Sequence, residues 1–170
     1  MKKLLILLIL SIFLLSGCGI YNLNNFVVPD DTEFLKVIQE LDTPEKICQY
    51  MVNNFTYQKH SFYAPSPYQL WLTKNGDCND FATFAQFVAN FHDYETYQIK
   101  IFYKNTTYKH MLAVYKENKY SFSDNWLYFP PTYNNFLEIV EYDCYLRDKT
   151  WTKYIVYDYW NNLIEQRTNN

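Results

Sequence analysis

Apolar residues along the chain keep two different periods, and the change between them falls near Asp93. Before it the spacing is three and four, as on one face of a helix; after it the spacing is two, as on a strand. Thr32 to Leu41 carries Phe34, Leu35, Val37, Ile38 and Leu41 at helical spacing. Thr43-Pro44-Glu45 then supplies an N-cap, a proline at the first helical position and an acidic first turn, which predicts a second helix to about Phe55 with Ile47, Tyr50, Met51 and Asn54 along one side. Thr56 to Pro67 reads as a loop, Tyr68 to Lys74 as a helical turn or two, and Lys74-Asn75-Gly76-Asp77 as a turn. From Cys78, residues Phe81, Ala82, Phe84, Ala85, Val88 and Ala89 predict the central, most apolar helix of the domain.

Beyond Asp93, Tyr97 to Tyr103 and Tyr108 to Tyr115 read as strands joined at Lys104-Asn105-Thr106, and Lys119 to Ser123 as a third. Phe136 to Leu146 and Trp151 to Trp160 are rich in Tyr, Val and Ile and read as further strands of the same antiparallel sheet. Helices first and strands afterwards predict an α+β domain.

The first residues have another character. Met1-Lys2-Lys3 precedes an apolar run from Leu4 to Leu15, too short for a membrane span of about 20 residues. The run ends in Leu15-Ser16-Gly17-Cys18, which resembles the bacterial lipobox, in which the cysteine is acylated and becomes the first mature residue. The expected organisation is a lipoprotein signal peptide over 1–17, a lipidated tether over 18–31 anchored through Cys18, and one domain over 32–170. Such a domain is extracytoplasmic and held at a membrane surface.

Composition narrows the function classes. The net charge of −3 gives no basic footprint for nucleic acid. Aromatic residues make up 21% and glycines number only 3, a bias that AT-rich coding also produces, so it is not read as a ligand signature. Cys48 and Cys144 could pair outside the cytoplasm, yet each falls in an apolar stretch where a buried free thiol is ordinary.

Cys78 stands at the first turn of the apolar helix, where unpaired N–H groups and the positive end of the helix dipole favour a thiolate and can serve an oxyanion. His110 lies on an alternating strand, sharing a face with Leu112 and Val114, while Met111, Ala113 and Tyr115 take the other. A three-residue loop over Lys116-Glu117-Asn118, with Asn118 left-handed, pairs Tyr115 with Lys119 and sets His110 opposite Asp124, close enough for the carboxylate to hold Nδ1–H. A register changed by one residue would send Asp124 to the other face. Cys78 is then the nucleophile, His110 the general base and acid, and Asp124 the residue that orients the ring. His60 and His92 are expected to be solvated, near a loop and a helix end. Cys78, Asp80 and His110 lack the spacing of a metal site, and a cofactor is not expected.

These residues resemble the transglutaminase-like superfamily, a branch of the papain-like thiol enzymes. The resemblance lies in Gly76-Asp77-Cys78-Asn79-Asp80 opening a helix, His110 in a following strand and Asp124 in the next, with Ile47 to Val52, Phe55 and Tyr57 resembling the helix that precedes the nucleophile. It covers most of the chain from about Pro44 to Trp126. Two positions depart from the family's pattern: Met111-Leu112 follows His110 where an aromatic residue is frequent, and Tyr120 and Phe122 stand where Trp is often seen. The resemblance implies a papain-like core with N-terminal helices, a central Cys-bearing helix packed on an antiparallel sheet, no metal, and thiol acyl transfer at amide bonds. Gln69 is a candidate second oxyanion donor, with Gln58 and Trp71 as others of suitable type.

The first expectation is therefore a surface-anchored, cysteine-peptidase-like thiol hydrolase acting on a peptide or protein substrate, with amide or isopeptide bonds of the cell envelope as its target. The alternatives are an acyl transferase that delivers the thioester to an amine, or a catalytically silent module that binds a peptide or envelope partner on the same scaffold.

Overall fold

The computed structural model describes residues 29–60 and 65–169; the expected signal peptide, lipobox and most of the expected tether lie outside them. Among the described residues four helices precede the main sheet. In α1 (Thr32–Glu40), Asp31 caps the start by accepting from Glu33 N–H and Phe34 N–H, each at 3.0 Å, and Phe34 and Ile38 are buried. Helix α2 (Pro44–Asn54) has the expected Thr43 cap and Pro44 start, and buries Ile47, Cys48 and Met51. A short parallel bridge joins β1 (Thr56–Tyr57) to β2 (Asn75–Gly76), on either side of α3 (Pro67–Thr73). Helix α4 (Cys78–Phe91) is the central one, burying Phe81, Phe84, Ala85 and Val88 among others.

The main sheet is antiparallel throughout. Its strands are β3 (Glu95–Tyr103), β4 (Lys109–Lys116), β5 (Tyr120–Asp124), β6 (Leu127–Tyr133), β7 (Trp151–Asp158) and β8 (Leu163–Thr168), in the order β6-β5-β4-β3-β7-β8. Pro130 and Pro131 fall on β6, an edge strand, where a missing N–H leaves no gap in a ladder.

One expectation is overturned here. Phe136 to Leu146 is not a strand but most of helix α5 (Phe136–Arg147), capped by Asn135, which accepts from Glu138 N–H at 3.1 Å. Its apolar face, Phe136, Ile139, Val140 and Cys144, follows helical spacing, and the β-prone Tyr and Val content yields to that pattern. Helix α5 covers the sheet face opposite α4, so the sheet lies between two apolar cores. One joins α1, α2, α3 and α4 to Met111, Ala113 and Tyr115; the other joins α5 to Leu112, Val114, Ile99, Ile101 and Phe122. The alternation expected for β4 separates those two sets as read. Cys48 and Cys144 fall in different cores and are both free thiols.

The β4–β5 hairpin also differs from expectation. Lys116 pairs with Tyr120 and Ala113 with Ser123, so the loop is Glu117-Asn118-Lys119 and the register is moved by two residues. Asn118 is not left-handed. An even shift preserves the face, so Asp124 stays on the same side as His110, diagonal rather than opposite.

Candidate active site

The start of α4 fixes Cys78. Asp77 accepts from Asn79 N–H at 2.9 Å, and Asp80 Oδ2 accepts from Asp77 N–H at 2.7 Å, a reciprocal cap that holds the first turn. Gly76 permits this: a Cβ there would stand 2.7 Å from Leu70 Cδ1 and 2.9 Å from Asp80 Cβ. Cys78 is partly exposed, on the wall of a cleft of about 630 Å³. Tyr57, Lys59, His60, Lys100, Tyr108 and His110 share that cleft.

His110 is 2% exposed, near the start of β4. Its Nε2 lies 2.7 Å from Asp124 Oδ1, so the carboxylate holds Nε2–H and not the expected Nδ1–H. The Tyr108 hydroxyl stands 3.3 Å from Nδ1, and the Tyr108 ring lies over the imidazole with centroids 6.2 Å apart. Burial lowers the His110 pKa, but the Asp124 carboxylate and the Cys78 sulfur beside the ring raise it further, to about 9. Burial acts to raise the pKa of Asp124, and the bonded His110 and the charge of Arg147 overcome it, holding the carboxyl below its usual range. The structure thus brings Cys78, His110 and Asp124 to one place.

Sequence reasoning missed the next layer. Arg147, the last residue of α5, donates to Asp143 Oδ1 at 2.8 Å and to Asp124 Oδ2, and Tyr103 O–H donates to Asp143 Oδ2 at 2.5 Å. Arg147 Nη2 also lies 2.8 Å from His110 Nε2. The Nε2–H is already committed to Asp124, so this approach is a charge contact that opposes ring protonation. The i, i+4 pair Asp143 and Arg147, together with the Asn135/Glu138 cap, was the available signal for a helix here.

Gln69 is placed elsewhere. Its Oε1 accepts from Ser66 N–H at 3.1 Å and its own N–H donates to Ser66 Oγ, closing the cap of α3. Trp71 packs against Phe34 and Tyr68, and Gln58 uses its N–H on Gly76 O at 2.8 Å. None of the three lines the cleft, whereas Tyr57 does, and burial raises its pKa to about 12, keeping the hydroxyl a donor. His60 is exposed, as expected, with its Nε2 2.5 Å from Asp80 Oδ2, while His92 is half-buried with its Nε2 2.7 Å from Ile38 O. The bond to Asp80 raises the His60 pKa, while burial raises that of Asp80. His60, Asp77 and Asp80 can each offer one ligand atom, all within 4.8 Å of one another, a donor set compatible with a cation. His110, Asp124 and Asp143 offer a second such group, into which the Arg147 cation already projects.

No family model matches the sequence, and no curated protein matches it. Among solved structures the chain is similar to calcium-bound LapG of Legionella pneumophila, with a TM-score of 0.50 and 16% sequence identity over 78% of this chain and 79% of that one. At that identity the likeness is one of fold, and together with the α-helices packed on an antiparallel six-stranded sheet it makes the fold of this chain transglutaminase-like, within the papain-like group.

Proposed function

We propose that this chain is a thiol hydrolase of the cysteine-peptidase kind, in which Cys78 is the nucleophile, His110 the proton carrier and Asp124 the residue that orients it. The observation that carries this reading is a buried imidazole held at Nε2 by a carboxylate, beside a helix-start sulfur on an open cleft. LapG, whose fold this chain shares, is a cysteine protease, which supports the same class of chemistry.

In the proposed reaction the Cys78 proton passes to His110 and the sulfur attacks the amide carbonyl carbon. The Cys78 N–H and the Tyr57 hydroxyl are the donors available to the developing oxyanion. His110 then protonates the leaving amine as the C–N bond breaks, and a thioester remains. Water deprotonated by His110 attacks that thioester, releasing the acid and returning the thiol. The Leu15-Ser16-Gly17-Cys18 segment supports acylation at Cys18, which would place this activity at the outer side of a membrane.

The test uses p-nitrophenyl acetate as an acyl donor that demands no particular peptide. The intact protein should release a burst of p-nitrophenol equal to the enzyme present and carry an acetyl group on Cys78 by mass spectrometry. Cys78→Ala should give no burst, and His110→Ala should slow acylation by about 10²–10⁴. A burst of equal rate in all three proteins would overturn the proposal.

A further inference from the structure

Beyond Cys78 the cleft is lined by Lys100 of β3 and Lys109 of β4. Helix α4 reaches β3 where Gln98 Nε2–H donates to Thr83 Oγ1 at 3.2 Å. Lys100 and Phe102 follow on the same face, and the registers place Lys109 of β4 and Lys153 of β7 on either side of Phe102. The three ammonium groups stand 6.0, 5.2 and 5.7 Å from the centroid of that one ring, for Lys100, Lys109 and Lys153 in turn. Among the described residues none of the three lies within 4.0 Å of a carboxylate.

Three like charges around one ring repel each other, and the ring face offsets this only in part. In a chain of net charge −3, such a cluster without counter-charge is a local inversion of sign. It is continuous with the reacting group, because Lys100 and Lys109 line the same cleft as Cys78 and His110. Asp77 also lines this cleft beside Cys78, together with Lys59 and His60.

From this placement we propose that the cleft selects an acidic stretch of polypeptide, whose Asp or Glu carboxylates lie on Lys100, Lys109 and Lys153 beside the bond presented to Cys78. This rests on the reading of Cys78 as the nucleophile, and it adds the substrate class. A peptide fits better than an anionic membrane surface, because two of the three lysines, Lys100 and Lys109, line the cleft of about 630 Å³ that also holds Cys78. Each exposed ion pair is worth a modest amount and is screened by salt, so selection comes from the three acting together.

The experiment measures binding of fluorescein-labelled oligoglutamate, oligolysine and phosphatidylglycerol vesicles to the full chain by fluorescence anisotropy and sedimentation. Oligoglutamate should bind at low salt, about tenfold more tightly than to K100Q/K109Q/K153Q, and should lose affinity as salt rises. Lys109→Glu, a single change at an exposed position, should weaken binding in the same direction and serves if the triple variant folds poorly. Saturating oligoglutamate should also slow alkylation of Cys78 by iodoacetamide in the unaltered protein. Equal affinity in wild type and variants, preference for oligolysine, or binding to vesicles without binding to oligoglutamate would each overturn the proposal. The anisotropy reading does not use the reactivity of Cys78, so a silent thiol with selective oligoglutamate binding would sink the hydrolase reading alone.

Discussion

His110 concentrates the electrostatics of the site, because three charged or polarisable groups compete for one ring. Asp124 and the Cys78 sulfur favour the imidazolium, while burial and the Arg147 cation oppose it, and the balance stands at about 9. An NMR titration of the His110 ring should therefore give a pKa near 9, and Asp124→Asn should move it down, since the first of the favouring groups is lost. The sign for stability follows: the raised pKa contributes fully below 6.5, the ordinary value, and the contribution is lost as pH rises through about 9. The other thiols behave differently. Burial pushes Cys48 up to about 12 and Cys144 up to about 11. In native protein treated with Ellman's reagent at neutral pH, Cys78 should react fast, and Cys48 and Cys144 only after unfolding.

At the scale of elements, the start of α4 is the most exacting piece of backbone. Gly76→Ala would press a methyl group against Leu70 and against Asp80, the residue that caps the helix carrying Cys78. Chemical denaturation should show a loss of about 1–3 kcal/mol, with a slower Cys78 reaction beside it. The Asp77/Asp80 cap of α4 came from the structure, whereas the helix was legible in the sequence from the spacing of Phe81 to Ala89. So was the side of β4 that His110 occupies, because the alternation from His110 to Tyr115 survives the two-residue change of register. The hairpin loop itself was not legible, as Glu117, Asn118 and Lys119 offer no glycine to pin the turn type. Helix α5 was missed for a stronger reason: Tyr142, Tyr145 and Val140 favour strands locally, and the contacts that decide for a helix come from β3, β4 and β7 across the core. With α5 went Asp143 and Arg147, and so the outer half of the Asp124 environment.

For the whole molecule, the sheet between two apolar layers sets the site. Helix α4 carries the sulfur from one layer, Arg147 brings its charge from the other, and His110 on β4 meets both at the end of the strand. Phe84 is fully buried between Tyr50, Phe55 and the rest of the first layer, so Phe84→Ala should cost about 3–5 kcal/mol in denaturant unfolding. Leu72 is 54% exposed, and Leu72→Ala should have little effect in the same assay. The central claim is that His110 governs the reactivity of Cys78. The most direct measurement is the rate of Cys78 alkylation by iodoacetamide near pH 6, with the site read by mass spectrometry, in wild type and His110→Ala. The account predicts fast alkylation that slows markedly in the variant; equally slow rates in both proteins would contradict it.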